Sequence, residues 1–408
     1  MVKKIITLFL ILFSFVRAEQ VVEAHIFVHG TRMSFLSLVS ATSAVRRKLR
    51  NKHLYTKVVK STRKDERYQD AQVLLDRGLV ELQSPLLKKC REQKLETTFS
   101  RKAAIQAVNA YDMLSPQKNI HHYYTYGWDG MLADEYRKND GGELYTVLAN
   151  LRDKLQNQYP GATIKIYLHG HSHGGNIILY LGYHENNQKR NLIIDKVLLY
   201  GTPIQAETAS YCLHPMFKKI ISFYSEGDTI QIADKISTAT GTSSRRFADL
   251  VNIRNAPVID VCLSAEYDRK AFGHASLFFI DMYQNGIAQA RRHVFNEIKF
   301  FPVAALSPLF LPLVEQLYDK HKSRHVTVNF TKNSPASCII EASDRQGYIV
   351  SSPNILPLLN PISHIVKTTW KPYAKNAGVI NSAKLVVLDL MKQTPQHWFD
   401  LITTKSPQ

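Results

Sequence analysis

Ile164 to Asn176 reads IKIYLHGHSHGGN, and the fold turns on this stretch. Ile164–Leu168 is short, apolar and β-favouring, which predicts a buried strand. Gly170-His171-Ser172-His173-Gly174 follows as a G-x-S-x-G. Ile177 to Tyr183 is then an apolar run that predicts a helix. The pentapeptide alone occurs often by chance. Between a strand and a helix it predicts a turn too tight for bulky side chains at its glycines. Such a turn holds the serine in a strained conformation and presents its hydroxyl.

Outward from the turn, the chain repeats the same alternation. Val21 to Arg32 (VVEAHIFVHGTR) is a β-branched run ending in His29-Gly30-Thr31, a buried strand opening into a tight turn. His122 to Gly130 (HYYTYGWDG) is a second strand meeting a turn. Trp128 and Asp129 there read as a core tryptophan and a turn aspartate, with lining the site as the alternative. Leu144, Val147, Leu148, Leu151 and Leu155 recur at helical spacing, and Tyr159-Pro160-Gly161 ends that helix. Lys196–Tyr200 (KVLLY) runs into Gly201-Thr202-Pro203, and Lys219–Tyr224 (KIISFY) runs into Ser225-Glu226-Gly227-Asp228. Strands alternating with helices predict an α/β fold, a mostly parallel sheet flanked by helices.

A serine hydroxyl is a poor nucleophile at neutral pH. It needs a base within hydrogen-bond reach, and the base needs an orienting acid. Asp228 lies in a loop at the carboxyl end of a strand, where an open α/β sheet places its site. Glu226, Asp195 and Asp234 are the alternative acids. His274, in AFGHASLFF, is the candidate base, with His214 and His293 as alternatives.

In these pieces residues 20 to 295 resemble the α/β-hydrolase superfamily, within it the lipase and esterase branch. The resemblance rests on His29-Gly30-Thr31, the GHSHGG turn, Tyr200-Gly201-Thr202-Pro203, Glu226-Gly227-Asp228 and Gly273-His274. It implies a catalytic triad of Ser172 as nucleophile, His274 as general base then acid, and Asp228 as orienting carboxylate. It also implies an oxyanion hole from the backbone N–H of His173 and a donor after His29-Gly30, Thr31. The chain departs from the family in two ways. Its first recognisable strand already bears the His-Gly, and an insertion spans about residues 40–118.

His169, His171 and His173 alternate, as metal ligands on a strand would, but no acid and histidine follow to complete an H-x-H-x-D-H pattern. The glycines are explained by the turn, so neither a metal nor a cofactor is expected. Lys and Arg number 52 against 34 Asp and Glu, a formal charge of +18, which admits an anionic membrane surface as a partner. The charge is spread along the chain, and a nucleic acid is not the expected partner. Arg46 to Arg67 is the densest basic run, read as a solvated helical face, with an anionic-surface contact as the alternative.

Met1 to Ala18 has a lysine-bearing start, an apolar stretch Ile5–Val16 and Val16-Arg17-Ala18, which predicts a secretory signal peptide cut after Ala18. An uncleaved anchor is the alternative. Export places Cys90, Cys212, Cys262 and Cys338 in an oxidising compartment, with pairing open. Residues 19–299 then form the hydrolase-like domain and 300–408 a C-terminal extension of mixed structure. Phe300 to Leu313 (FFPVAALSPLFLPL), with its three prolines, reads as a linker, a lid-like segment or a membrane-contacting loop. The expectation is an exported serine hydrolase of carboxylic esters, with lipid or acyl esters as substrates. The alternative is an inactive hydrolase scaffold that binds a membrane or protein partner.

Overall fold

The computed structural model describes residues 20–31, 77–82, 108, 111, 119–238, 240–265, 303–330, 338–342 and 349–351. The signal sequence, the basic run Arg46 to Arg67, Cys90, His274 and His293 lie outside the described residues.

The main sheet has ten strands. They are β1 (Val21–Val28), β2 (Gly78–Glu81), β3 (Ile120–Gly127), β4 (Thr163–His171), β5 (Lys196–Tyr200), β7 (Ile220–Tyr224), β9 (Val258–Ala265), β10 (His325–Phe330), β11 (Cys338–Ala342) and β12 (Ile349–Ser351). Two short strands, β6 (Ile204–Gln205) and β8 (Ser243–Ser244), pair separately. Across the main sheet the order is β12-β11-β10-β9-β7-β5-β4-β1-β3-β2. From β10 to β3 every neighbouring pair is parallel, and only the two edges are antiparallel. The protein is therefore α/β with a mostly parallel sheet.

Helix α1 (Asp134–Gln158) and helix α2 (His173–Gln188) cover one face. Leu144, Leu148, Leu151 and Leu155 of α1 and Ile177, Ile178 and Leu181 of α2 meet Ala24, Ile26 and Val28 of β1 and Ile166 and Leu168 of β4. The strands read as near-continuous apolar runs because both faces are covered. Removing this apolar surface from water is a principal driving force for folding.

Helix α3 (Val303–His321) covers the other face. This revises the reading of Phe300 to Leu313 as a linker, lid or loop. Pro308 and Pro312 disfavour a helix interior. Tertiary packing overrides them: Phe310, Leu311, Val314 and Leu317 are buried, and the Phe310 ring lies 5.8 Å edge-on to Phe223. Tyr200 Oη and Ser307 Oγ are 2.9 Å apart across the same contact. Strands β10, β11 and β12 thus extend the same sheet beyond α3. β2 falls within the expected insertion and pairs with β3 at the opposite edge. Cys212 is a buried free thiol. Among the described residues, no helix is long and apolar enough to cross a membrane.

Candidate active site at the carboxyl ends of the parallel strands

The chain leaves β1 for β3 on one side and later leaves β4 for β5 on the other. The carboxyl ends of β1 and β4 therefore flank the point where strand order reverses, the usual place for a ligand crevice in an open α/β sheet. Val28 pairs with Gly170, so His29-Gly30 and His171-Ser172 emerge side by side.

Ser172 stands between β4 and α2 with φ 51° and ψ −131°. Positive φ costs a residue with a Cβ, of order 1–3 kcal/mol, and it persists only where surroundings impose it. The surroundings here are close backbone contacts. A Cβ on Gly170 would lie 2.8 Å from Gly175 Cα, and one on Gly30 would lie 2.8 Å from Ser172 Cβ. A Cβ on Gly174 would strike the carbonyls of Val28 and His29. The Ser172 N–H donates to Tyr200 O at 3.0 Å, tying the turn to the end of β5. The glycines of GHSHGG and of His29-Gly30 are thus what allow two chain segments to close on the serine.

Trp128 holds the facing turn. Its indole Nε1–H donates to His29 O at 2.7 Å, and its backbone N–H donates to His29 Nε2 at 3.1 Å. Because Nε2 accepts, the ring proton sits on Nδ1, which donates to Gly30 O at 2.6 Å. The two rings stack 5.4 Å apart. Thr31 follows directly, and its Oγ1 is buried without a hydrogen-bond partner among the described residues. Asp129, read as a turn residue, pairs with Arg77 beside β2.

The side chain of His173 leads away from the serine into a buried polar network. Asn176 Nδ2 donates to its Nδ1 at 3.2 Å, so Nε2 carries the proton and donates to Asp234 Oδ1 at 3.0 Å. Asp234 also accepts from Gln205 Nε2 at 2.7 Å and Ser237 Oγ at 2.6 Å. The fully buried Arg137 donates to Gln205 Oε1 at 2.7 Å. Burial pushes the Asp234 carboxyl upward, but the hydrogen bonds from His173 and Ser237, with the Arg137 guanidinium nearby, outweigh it and hold it below the usual range.

The acids now separate by place and partner. Asp195 lies at the amino end of the sheet, accepting from Ile166 N at 3.0 Å and Lys218 Nζ at 2.7 Å. Asp234 is committed to His173. Asp228 is fully buried just past β7, and its Oδ1 accepts the N–H groups of Ile230 at 3.0 Å and Gln231 at 3.2 Å. β7 is two positions from β4, which places it about 10 Å across the sheet at ~4.8 Å per strand. His214 sits against Gly182, far along α2 from Ser172, with Asn186 Oδ1 3.0 Å from its Nε2. The sequence reading missed the Arg137–Gln205–Asp234 network and the hydrogen bonds by which Trp128 holds the His29 turn. Asn176, polar just before the apolar run Ile177–Leu181, was the one sequence signal for the network.

No family model, curated protein or solved structure matches the chain.

Proposed function

We propose that the protein is a serine ester hydrolase of the α/β-hydrolase type, with acyl esters as its substrate class. The observation that carries this reading is the positive-φ Ser172 at a strand-to-helix turn, at the carboxyl end of β4, beside the reversal of strand order. Strain of this kind is maintained at a cost and is concentrated where a side chain has chemistry to perform.

In this mechanism the Ser172 hydroxyl attacks the ester carbonyl. His274, from the sequence beyond β9, takes its proton, and Asp228 orients the imidazole. The tetrahedral oxyanion is held by the His173 N–H and by Thr31. That amide opens α2, where helix N–H groups have no acceptor inside the helix and the dipole favours negative charge. The proton then passes from His274 to the departing alcohol, and water releases the acyl group by the same route. The Asp234 pair fixes the His173 side chain, so its amide direction does not drift. Export through the N-terminal signal, and contact with an anionic membrane surface, belong to the same proposal.

Fluorophosphonate labelling tests it. Wild-type protein is expected to label and to hydrolyse acyl esters, and folded Ser172→Ala and His274→Ala to do neither. Labelling that survives Ser172→Ala ends the assignment. Absence of labelling in folded wild type, with and without anionic vesicles, favours the inactive scaffold.

A further inference from the structure

At the amino end of the sheet, on the face away from α1 and α2, three metal-ligating side chains converge. Glu23 and His25 are two apart on β1 and share a face. His121 of β3 stands opposite Glu23 in the parallel register. Glu23 Oε2 is 3.7 Å from His25 Nε2 and 3.3 Å from His121 Nδ1. The three ligand atoms lie within 4.8 Å of one another.

We propose that Glu23, His25 and His121 bind a divalent d-block ion, zinc being the reference case. Bond lengths of about 2.0–2.1 Å to tetrahedral zinc put ligand atoms roughly 3.4 Å apart. The Glu23–His121 separation already matches, and the Glu23–His25 separation needs to close by a few tenths of an ångström. Imidazole and carboxylate are a zinc-type donor set, and three protein ligands leave a fourth position for water.

The surroundings prepare each donor. Glu23 Oε1 accepts from Tyr167 Oη and Asn119 Nδ2, both at 3.1 Å, which leaves Oε2 directed at the histidines. His25 Nδ1 lies 3.1 Å from His169 Nε2. With the proton on His25 Nδ1, its Nε2 presents a lone pair, the tautomer a metal requires. His25 is 1% exposed, and its Nε2 has no hydrogen-bond partner among the described residues; the same holds for both ring nitrogens of His121. A buried polar atom left unpaired is costly, and these face one carboxylate oxygen. Two cations stand nearby: Lys165 is opposite Glu23 in the β1–β4 register, and Lys196 is paired with Glu315 at 2.6 Å. Glu23 and His121 keep 12% and 11% side-chain exposure, which gives an ion a way in.

The site is separate from the serine and independent of the hydrolase reading. Gly30, beside Ser172, is five residues beyond His25, roughly 16 Å at ~3.3 Å per residue. An ion here clamps β1 to β3.

Zinc titration of untagged, metal-stripped full chain against a chromophoric competitor tests the site. The expected result is one ion per chain with sub-micromolar affinity and a zinc-dependent rise in melting temperature. Glu23→Gln and His121→Gln are expected to lose both while keeping the far-ultraviolet spectrum. Tyr167→Phe keeps all three ligands and is expected to weaken binding about 10–100-fold, which decides the matter if a ligand variant misfolds. The chain has 16 histidines, so surface binding is the competing explanation. Wild type without stoichiometric sub-micromolar zinc, or affinity unchanged in the variants, overturns the proposal.

Discussion

Gly175→Ala probes the packing that holds the serine turn. A Cβ at Gly175 would lie 2.8 Å from Thr202 Cβ and 2.6 Å from Thr202 Cγ2, and closer still to Oγ1. Rotating the threonine does not relieve contact with its own Cβ. Its backbone is also held: Gln231 Nε2 donates to Thr202 O at 2.7 Å, and the Gly201 N–H donates to Phe223 O at 2.9 Å. Overpacking of this kind costs about 1–3 kcal/mol, against about 1 kcal/mol gained from alanine over glycine in a helix. With the clash extending to Cβ, the net expectation is a loss of about 1–2 kcal/mol.

Thr202→Ala alone removes a buried methyl and a hydroxyl that has no hydrogen-bond partner among the described residues, at about 1 kcal/mol. If the sites were independent, the double variant would lose about 2–3 kcal/mol. Because the contacts with Oγ1 and Cγ2 vanish while the 2.8 Å contact with Cβ remains, it is expected to lose about 1–2 kcal/mol, a restoring coupling of about 1 kcal/mol. Urea unfolding of the four proteins measures this coupling. The fluorophosphonate labelling rate should follow it, since the Ser172 N–H is anchored on Tyr200 O in the same loop. Additive losses, or a Gly175→Ala variant as stable as wild type, would show that the turn is not held by this contact.

Three further outcomes follow from the same region and its supports. Trp128→Phe keeps the ring but removes the donor to the buried His29 O, so stability should fall by about 1–3 kcal/mol and labelling should slow; unchanged labelling would detach Trp128 from the site. Asp228→Asn keeps an acceptor for the Ile230 and Gln231 amides, so it should fold normally while turnover drops about 10⁴-fold, whereas Asp234→Ala should cost about 3–5 kcal/mol by stripping His173 and Gln205 of their acceptor; denaturation and turnover of both variants separate the two acids. Burial pushes the Asp260 carboxyl up to about 7, even though Phe247 and Ala248 donate backbone N–H groups to it. The folded chain then holds a proton that the unfolded chain releases near pH 4, so stability should decline from about pH 4 to 7 and level off above; Asp260→Asn should flatten that slope in unfolding measured across the range.

The central strands were legible because their signal is local. KVLLY and KIISFY are apolar runs closed by glycine, and the structure strands them to within a residue. The GHSHGG turn carried its own geometry in its glycines. β2 was not legible, because Gly-Leu-Val-Glu is a four-residue edge strand defined by its pairing with β3. α3 was hidden by its prolines, whose local preference the buried Phe310 and Leu317 override. The sequence put Asp228 ahead of Glu226, Asp195 and Asp234 because it follows a strand, but it could not show what each carboxylate bonds to. They differ only in which end of the sheet they occupy and which donors reach them. Glu23 and His25 look like ordinary polar positions on a strand, and their partner His121 meets them through strand register alone.

That register sharpens what the amino-end cluster is for. A buried histidine, a second histidine only 11% exposed and a carboxylate meeting across two strands are an expensive way to fill space. Replacing buried ionic groups by apolar ones of similar volume is often neutral or stabilising. If Glu23, His25 and His121 serve packing only, Glu23→Leu/His25→Leu/His121→Leu should equal or exceed wild type in stability whatever metal is present. If they hold an ion, the order depends on metal. With chelator, the apolar variant should be the more stable. With zinc at a hundred times its dissociation constant, wild type gains about 2.7 kcal/mol by mass action and the variant gains nothing. A crossover in unfolding midpoints between chelator and zinc is therefore the expected signature. Two parallel responses would mean that the histidines of β1 and β3 owe their place to something other than a cation.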